Sequence, residues 1–213
     1  DEIVTTDGIR PLTRLLEAHG RQTKRFAAMA LARLSKDHEA TQAAIAASAA
    51  IPPLVALLDG GKGSEAQEEA AGAILALAET AENRHMITEA GGIGFLVSML
   101  GSDHAHAREH AEGALVRLSI EPANRREIIN KLVDMLQDPQ AGGQEQAAAA
   151  LANLARESED NRKSIVDANG IPPLIELLET ASANSSKTKE NAVGAIKELC
   201  RNSKPNQLLV AKA

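Results

Sequence analysis

Apolar residues along this chain come in short blocks with helical spacing, and the blocks themselves recur. Leucines stand at Leu12, Leu54, Leu96, Leu132 and Leu174, spaced 42, 42, 36 and 42 residues apart. Around them Ala50-Ile51-Pro52-Pro53-Leu54 returns as Gly170-Ile171-Pro172-Pro173-Leu174, with weaker copies at Gly8-Ile9-Arg10-Pro11-Leu12 and Gly92-Ile93-Gly94-Phe95-Leu96. A polar ladder keeps the same register. Asn83-Arg84, Asn124-Arg125 and Asn161-Arg162 each precede apolar residues, and Asn206 opens a fourth copy ahead of Leu209-Val210. A third ladder is rich in alanine: Ala27 to Leu31, Ala70 to Ile74, Ala111 to Leu115, Ala147 to Leu151 and Ala192 to Ile196.

Each unit reads as three helices. A short one follows the Asn, whose side chain can cap its first turn. A second starts at the Gly-Ile turn with Pro in its opening positions, where a missing N–H costs nothing. A longer third carries the alanines. No unit of about 42 residues can bury its own apolar faces, so neighbours stack on one continuous core as a superhelical solenoid. Residues 1–213 are expected to form one such solenoid, with approximate units 1–49, 50–91, 92–130, 131–169 and 170–213.

Two departures stand out. Between Ile129 and Leu132 the Gly-Ile-Pro turn is missing, so the first and second helices near residue 130 are expected to fuse and the superhelical twist to change locally. The last unit is longer, through Ser182-Ala183-Asn184-Ser185-Ser186. At the ends, Ile3 sits where a first helix would already be running, and no polar capping unit is recognisable. The chain therefore reads as a segment of a longer solenoid, or as one whose ends are covered by partners.

Composition narrows the function. About 40 residues are Ala, which favours helices that pack closely, while aromatics amount to two Phe. A net charge of -6 and the lack of stacking platforms argue against nucleic acid. No run of 18 apolar residues exists to insert into a bilayer. The single cysteine, Cys200, excludes a disulfide framework and fits a reducing compartment. With an opening at Asp1-Glu2 in place of a basic leader, an intracellular location is expected, cytoplasmic, nuclear or both.

The N-R-x-x-I pattern from Asn161 to Ile165, the G-I-P-P-L-x-x-L-L pattern from Gly170 to Leu178 and the Ala ladder from Glu69 to Ile74 resemble armadillo repeats over essentially the whole chain. HEAT repeats are the near alternative, but their units have two helices and lack the Gly-Ile-Pro-Pro turn. The resemblance implies an all-α, right-handed superhelical solenoid of about five repeats whose third helices line a concave groove for extended peptides. Import adaptors resembling importin-α place Trp and Asn four residues apart on those helices. Here the Trp slots hold Met29, Gly72, Gly113, Ala149 and Gly194, and the Asn slots hold Arg33, Ala76, Arg117, Asn153 and Glu198. Only Asn153 matches, so the lysine pockets of those adaptors are not expected.

What remains is an open floor of small residues edged by charge. Arg33 and Arg117 can pair a partner's carboxylates bidentately, or each can pair with a Glu of a neighbouring repeat. Four residues before the Trp slots stand Arg25, Glu68, Glu109, Glu145 and Glu190, and the four glutamates form either an acidic stripe or ordinary helix-start acids. His106 and His110 share a helix face beside Glu109, with no third ligand in view, so surface histidines are the expected reading and no metal site. Cys200 is placed on the buried side of the last third helix, and Phe26 and Phe95 in the core or between repeats.

No phosphate loop or nucleophile elbow appears. The expectation is a non-catalytic, cofactor-free scaffold for a protein or peptide partner along Met29, Arg33, Gly72, Ala76, Glu109, Gly113, Arg117, Ala149, Asn153 and Glu198. The alternatives are an importin-α-like adaptor for basic peptides and a regulatory segment of a larger protein, such as a ubiquitin ligase or a cytoskeletal assembly. End-to-end contacts through uncapped terminal repeats are a further expectation.

Overall fold

The computed structural model describes residues 8–36, 38–59, 64–138, 143–180 and 186–212. Every regular element among them is α-helical. The chain packs as two compact units, Asp1–Leu118 and Ser119–Ala213.

In the first unit, helices α1 (Ile9–Leu15) and α2 (Arg21–Ser35) precede two full triplets. These are α3 (Glu39–Ala47), α4 (Ile51–Leu57) and α5 (Glu65–Leu77), then α6 (Ala81–Glu89), α7 (Gly92–Met99) and α8 (Ala105–Leu118). The long third helices α2, α5 and α8 stack in sequence. Small residues make that stacking close: Ala27, Ala28, Ala70, Ala71, Ala73, Ala111 and Ala114 are buried along it with Leu31, Ile74 and Leu115. Cβ atoms without further branches let two helix axes approach and cost no rotamer entropy.

The second unit begins with α9 (Pro122–Gln137), which runs unbroken through the position where the Gly-Ile-Pro turn is absent. Without the glycine and proline nothing stops the helix. Helix α10 (Gln144–Glu157) follows, then the triplet α11 (Glu159–Asp167), α12 (Ile171–Glu179) and α13 (Ser186–Leu199), and finally α14 (Lys204–Lys212). Here α10 and α13 are the stacked third helices.

The Gly-Ile turn has a definite geometry. Pro52-Pro53 and Pro172-Pro173 occupy the first positions of α4 and α12, as expected. Just before the turn the backbone is left-handed at Ala49 (φ 59°), Gly91 (φ 77°) and Asn169 (φ 58°). A Cβ at Gly170 would lie 2.8 Å from Ile165 Cγ2 and 3.0 Å from the Ile165 carbonyl oxygen. That approach lets the Gly170 N–H reach Ile165 O at 2.9 Å, whereas Ala50 at the matching position bonds Ile45 O at a looser 3.4 Å. The first of these turns is thus doubly compromised, with alanine at both positions. Ala49→Gly is expected to raise stability by about 1 kcal/mol, read as a higher urea midpoint, because alanine carries the left-handed penalty and glycine does not. A midpoint that falls would show that Ala49 gains more from its side chain than its backbone loses.

Several sequence expectations are corrected. The ladder asparagines do not cap their helices. Thr80 and Ser158 do, accepting from the N–H groups of Asn83 and Asn161. The side chains of Asn161 and Asn206 reach back seven residues instead. Asn161 Nδ2 donates to Leu154 O at 2.8 Å and Asn206 Nδ2 to Leu199 O at 2.6 Å. Gln42 does the same to Ser35 O, which extends the ladder one unit earlier. The adjacent arginines close neighbouring carbonyls: Arg84 to Ala78 and Glu79, Arg125 to Ser119 and Ile120, Arg162 to Ala155. At Asn161-Arg162 both side chains therefore satisfy orphan carbonyls that end the preceding third helix, while at the 84 and 125 positions the arginine does so. Phe26 is 54% exposed rather than packed, with the Arg25 guanidinium 5.6 Å from its ring centre, and Phe95 is half-buried. Cys200 lies just past the end of α13 and is only part-buried. Ile3 falls outside the described residues, as do 60–63, 139–142 and 181–185 of the loops at 59–64, 138–144 and 179–188.

Candidate functional site

The surface left over by third-helix stacking is where the expected groove residues stand. In the first unit Met29, Gly72, Ala76, Gly113 and Arg117 are part-exposed, and Arg33 is exposed. In the second unit Ala149, Asn153 and Glu198 are part-exposed. The helical period accounts for this: residues four apart on a third helix share a face, and its opposite face is the Ala-Leu core.

Arg33, Gly72, Ala76 and Arg117 come together around one cavity of about 420 Å³ in the first unit. Its floor is apolar and small, from Ala32, Gly72, Leu75 and Ala76. Its walls carry Arg33 and Lys36 from the end of α2, Glu69 and Glu79, and His110 and Arg117 from α8. The glycine at 72 is filled by a neighbour, because its Cβ would lie 3.2 Å from the His110 ring. His110 Nδ1 also lies 3.3 Å from the Glu68 carbonyl oxygen, so this imidazole belongs to the seam between stacked helices. Asn191 plays the same part in the second unit, donating to Glu145 O at 3.2 Å.

The charged rows resolve unequally. Arg117 is paired with Glu79 at 2.5 Å, which leaves Arg33 as the exposed guanidinium of the expected pair. Arg33 and Lys36 have no ion pair among the described residues. Asn153 accepts a 2.7 Å hydrogen bond from Arg156, and Glu198 faces Arg201 at 3.4 Å. The expected acidic stripe is largely engaged: Glu68 with His104, Glu109 with His106, and Glu145 with Lys187. Arg25 joins Glu65 across the α2–α5 seam.

Burial pushes the Cys200 thiol above its ordinary range, which suppresses the nucleophilic thiolate. On α11, the hydrogen bond between Lys163 and Glu159 holds the carboxyl low and the ammonium high. No cluster of three or more His, Cys, Asp or Glu side chains suited to a metal ion occurs among the described residues.

Sequence reasoning missed Lys36, Glu69, Leu75, Glu79 and His110 as lining residues. A helical signal was available for two of them. Glu69 and Leu75 lie three before and three after Gly72 and so share its face, whereas Glu79 lies past the end of α5.

The family described as Armadillo/beta-catenin-like repeat matches residues 126–156 and 158–201. A designed armadillo repeat protein, solved in complex with the peptide (KR)4, superposes with a TM-score of 0.66 at 23% identity, over 93% of this chain and 84% of that one. The fold is that of armadillo repeats. An engineered protein of known crystal structure is similar at 26% identity, with a TM-score of 0.68 over 96% of this chain and 86% of its own. U-box domain-containing protein 12 of Arabidopsis thaliana is 37% identical over 103 residues, which is 48% of this chain. The match spans 16% of that relative's length. The armadillo fold is in general that of a non-catalytic protein-interaction scaffold.

Proposed function

We propose that this armadillo chain holds a segment of a partner protein against the exposed face of its third helices, without catalysing a reaction on it. The observation that carries this reading is the 420 Å³ cavity on the α2, α5 and α8 face, which gathers four of the residues expected in the groove. A small apolar floor ringed by charge suits a peptide that inserts one side chain and fixes its register at the rim. In the second unit, Ala149, Asn153 and Glu198 offer a further stretch of the same kind of surface. An intracellular setting, cytoplasmic or nuclear, goes with this reading.

The test is a peptide-display selection against the chain, repeated with Ala76→Phe. The added ring projects from the cavity floor, so enriched peptides should lose binding to the variant while its far-ultraviolet dichroism and melting stay unchanged. Enrichment that survives the substitution would move the interface elsewhere. A second reading rests on the likeness to the U-box protein: the chain would be the partner-selecting armadillo part of a longer protein, such as a ubiquitin ligase. Both readings use the same surface and differ in what is attached to it.

A further inference from the structure

The charge around the cavity specifies more than a generic peptide. Arg33 lies in the last turn of α2 and Lys36 caps its end, three residues apart on adjoining parts of one face. Both are exposed, both line the cavity, and neither has an ion pair among the described residues. Preference for cations at a helix C-terminus accounts for basic residues in this turn. It does not account for two of them bordering the same cavity as a second helix's apolar residues.

On the other walls the charges largely cancel. Glu79 is taken by Arg117 at 2.5 Å, and His110 is occupied with the Glu68 carbonyl and the Gly72 surface. Glu69 is the remaining acid, without an ion pair among the described residues. Unpaired charge around the cavity is thus two cations against one anion, over a floor of Ala32, Gly72, Leu75 and Ala76. Met29 adds apolar surface one turn before Arg33.

We infer that the cavity selects an extended acidic–apolar segment, with an aliphatic side chain on the Leu75–Ala76 floor and a neighbouring Asp or Glu carboxylate on Arg33 and Lys36. This rests on the reading of the third-helix face as a partner-binding surface and names the chemistry of the partner. A guanidinium and an ammonium converging on one carboxylate form charge-assisted hydrogen bonds, and the apolar neighbour supplies the buried area that exposed ion pairs lack. A Lys- or Arg-rich segment would meet these two cations and find only Glu69 in its favour.

The probe is a capped peptide of repeated Glu-Leu-Ser, compared with its Lys-Leu-Ser counterpart by fluorescence anisotropy on the whole chain. The acidic peptide is expected to bind more tightly, and its affinity to fall between about 50 and 300 mM salt. The Arg33→Glu, Lys36→Glu double variant should weaken it by about tenfold or more, and Glu69→Gln should tighten it about twofold. Opposite movements from exposed charges, with unchanged melting curves, are not what loss of folding would give. Equal or tighter binding of the basic peptide, or an affinity indifferent to the double variant, overturns the inference. If display still yields binders that Ala76→Phe abolishes while the acidic peptide fails, the inference alone falls. If no binder depends on Ala76, the reading beneath it falls too.

Discussion

Asn161→Asp is expected to destabilise the unit Ser119–Ala213 by about 3 kcal/mol at neutral pH. Asn161 is 3% exposed, and its Nδ2 donates to the Leu154 carbonyl at 2.8 Å. Aspartate has the same shape but no donor, so an oxygen would face the carbonyl in place of the amide. The remaining Oδ1 is already buried without a donor, which leaves a new carboxylate no compensation. Burial disfavours the charged form, so the folded-state pKa of the introduced carboxyl lies above its unfolded value. The deficit is therefore full at neutral pH and shrinks as pH falls through the carboxylate range, where protonation restores a donor. Asn161→Ala removes the hydrogen bond without adding charge and should cost about 1–2 kcal/mol, with little dependence on pH. Urea midpoints at neutral and acidic pH separate the two variants. Equal, pH-independent losses would show that the position is a matter of packing alone.

A second large effect contrasts two members of one leucine ladder. Leu132→Ala should cost about 3 kcal/mol, since Leu132 is fully buried in the unbroken helix α9 among Ile128, Ile129 and Leu136. Leu12→Ala should cost about 1 kcal/mol or less, since Leu12 in α1 is only half-buried. The two residues are equivalent by spacing and differ in what covers them. Denaturation of both variants followed by helical dichroism gives the comparison. Losses of equal size would mean that Leu12 is covered as fully in solution as its counterpart.

The repeat was legible because three ladders must agree with one period, and that agreement survives substitution at any single position. Pro52-Pro53 and Pro172-Pro173 marked their helix starts for a local reason, the fixed φ of proline. The role of Asn161 was misread because capping is judged from adjacent residues, whereas its partner Leu154 lies seven positions back, across the turn between α10 and α11. Phe26 shows the limit of hydrophobicity as a guide to burial. It occupies the position where His110 and Asn191 meet the preceding third helix, yet it is exposed and lies beside Arg25.

Within the candidate site, the face was predictable and the pairing was not. Helical spacing put Arg33, Ala76 and Arg117 on one surface, because their slots recur with the repeat. That Arg117 is held by Glu79 depends on the reach of two long side chains, one from α8 and one from the turn after α5, which no spacing encodes. The same is true of Glu68 and Glu145, whose partners are His104, just before α8, and Lys187 in α13. Lys36 escaped notice because it lies at the end of α2, beyond the regular slots.

That the floor is alanine and glycine apart from Leu75 has an entropic consequence. Ala32, Gly72 and Ala76 have no side-chain rotamers to freeze, so a segment settling on them finds its surface already formed. The ordering cost on the protein side then falls mainly on Arg33 and Lys36, whose long side chains lose on the order of 1.5–2 kcal/mol each when fixed. Association at such a surface need not wait for a rearrangement of the floor, and its temperature dependence would be set chiefly by how much freedom the partner segment gives up.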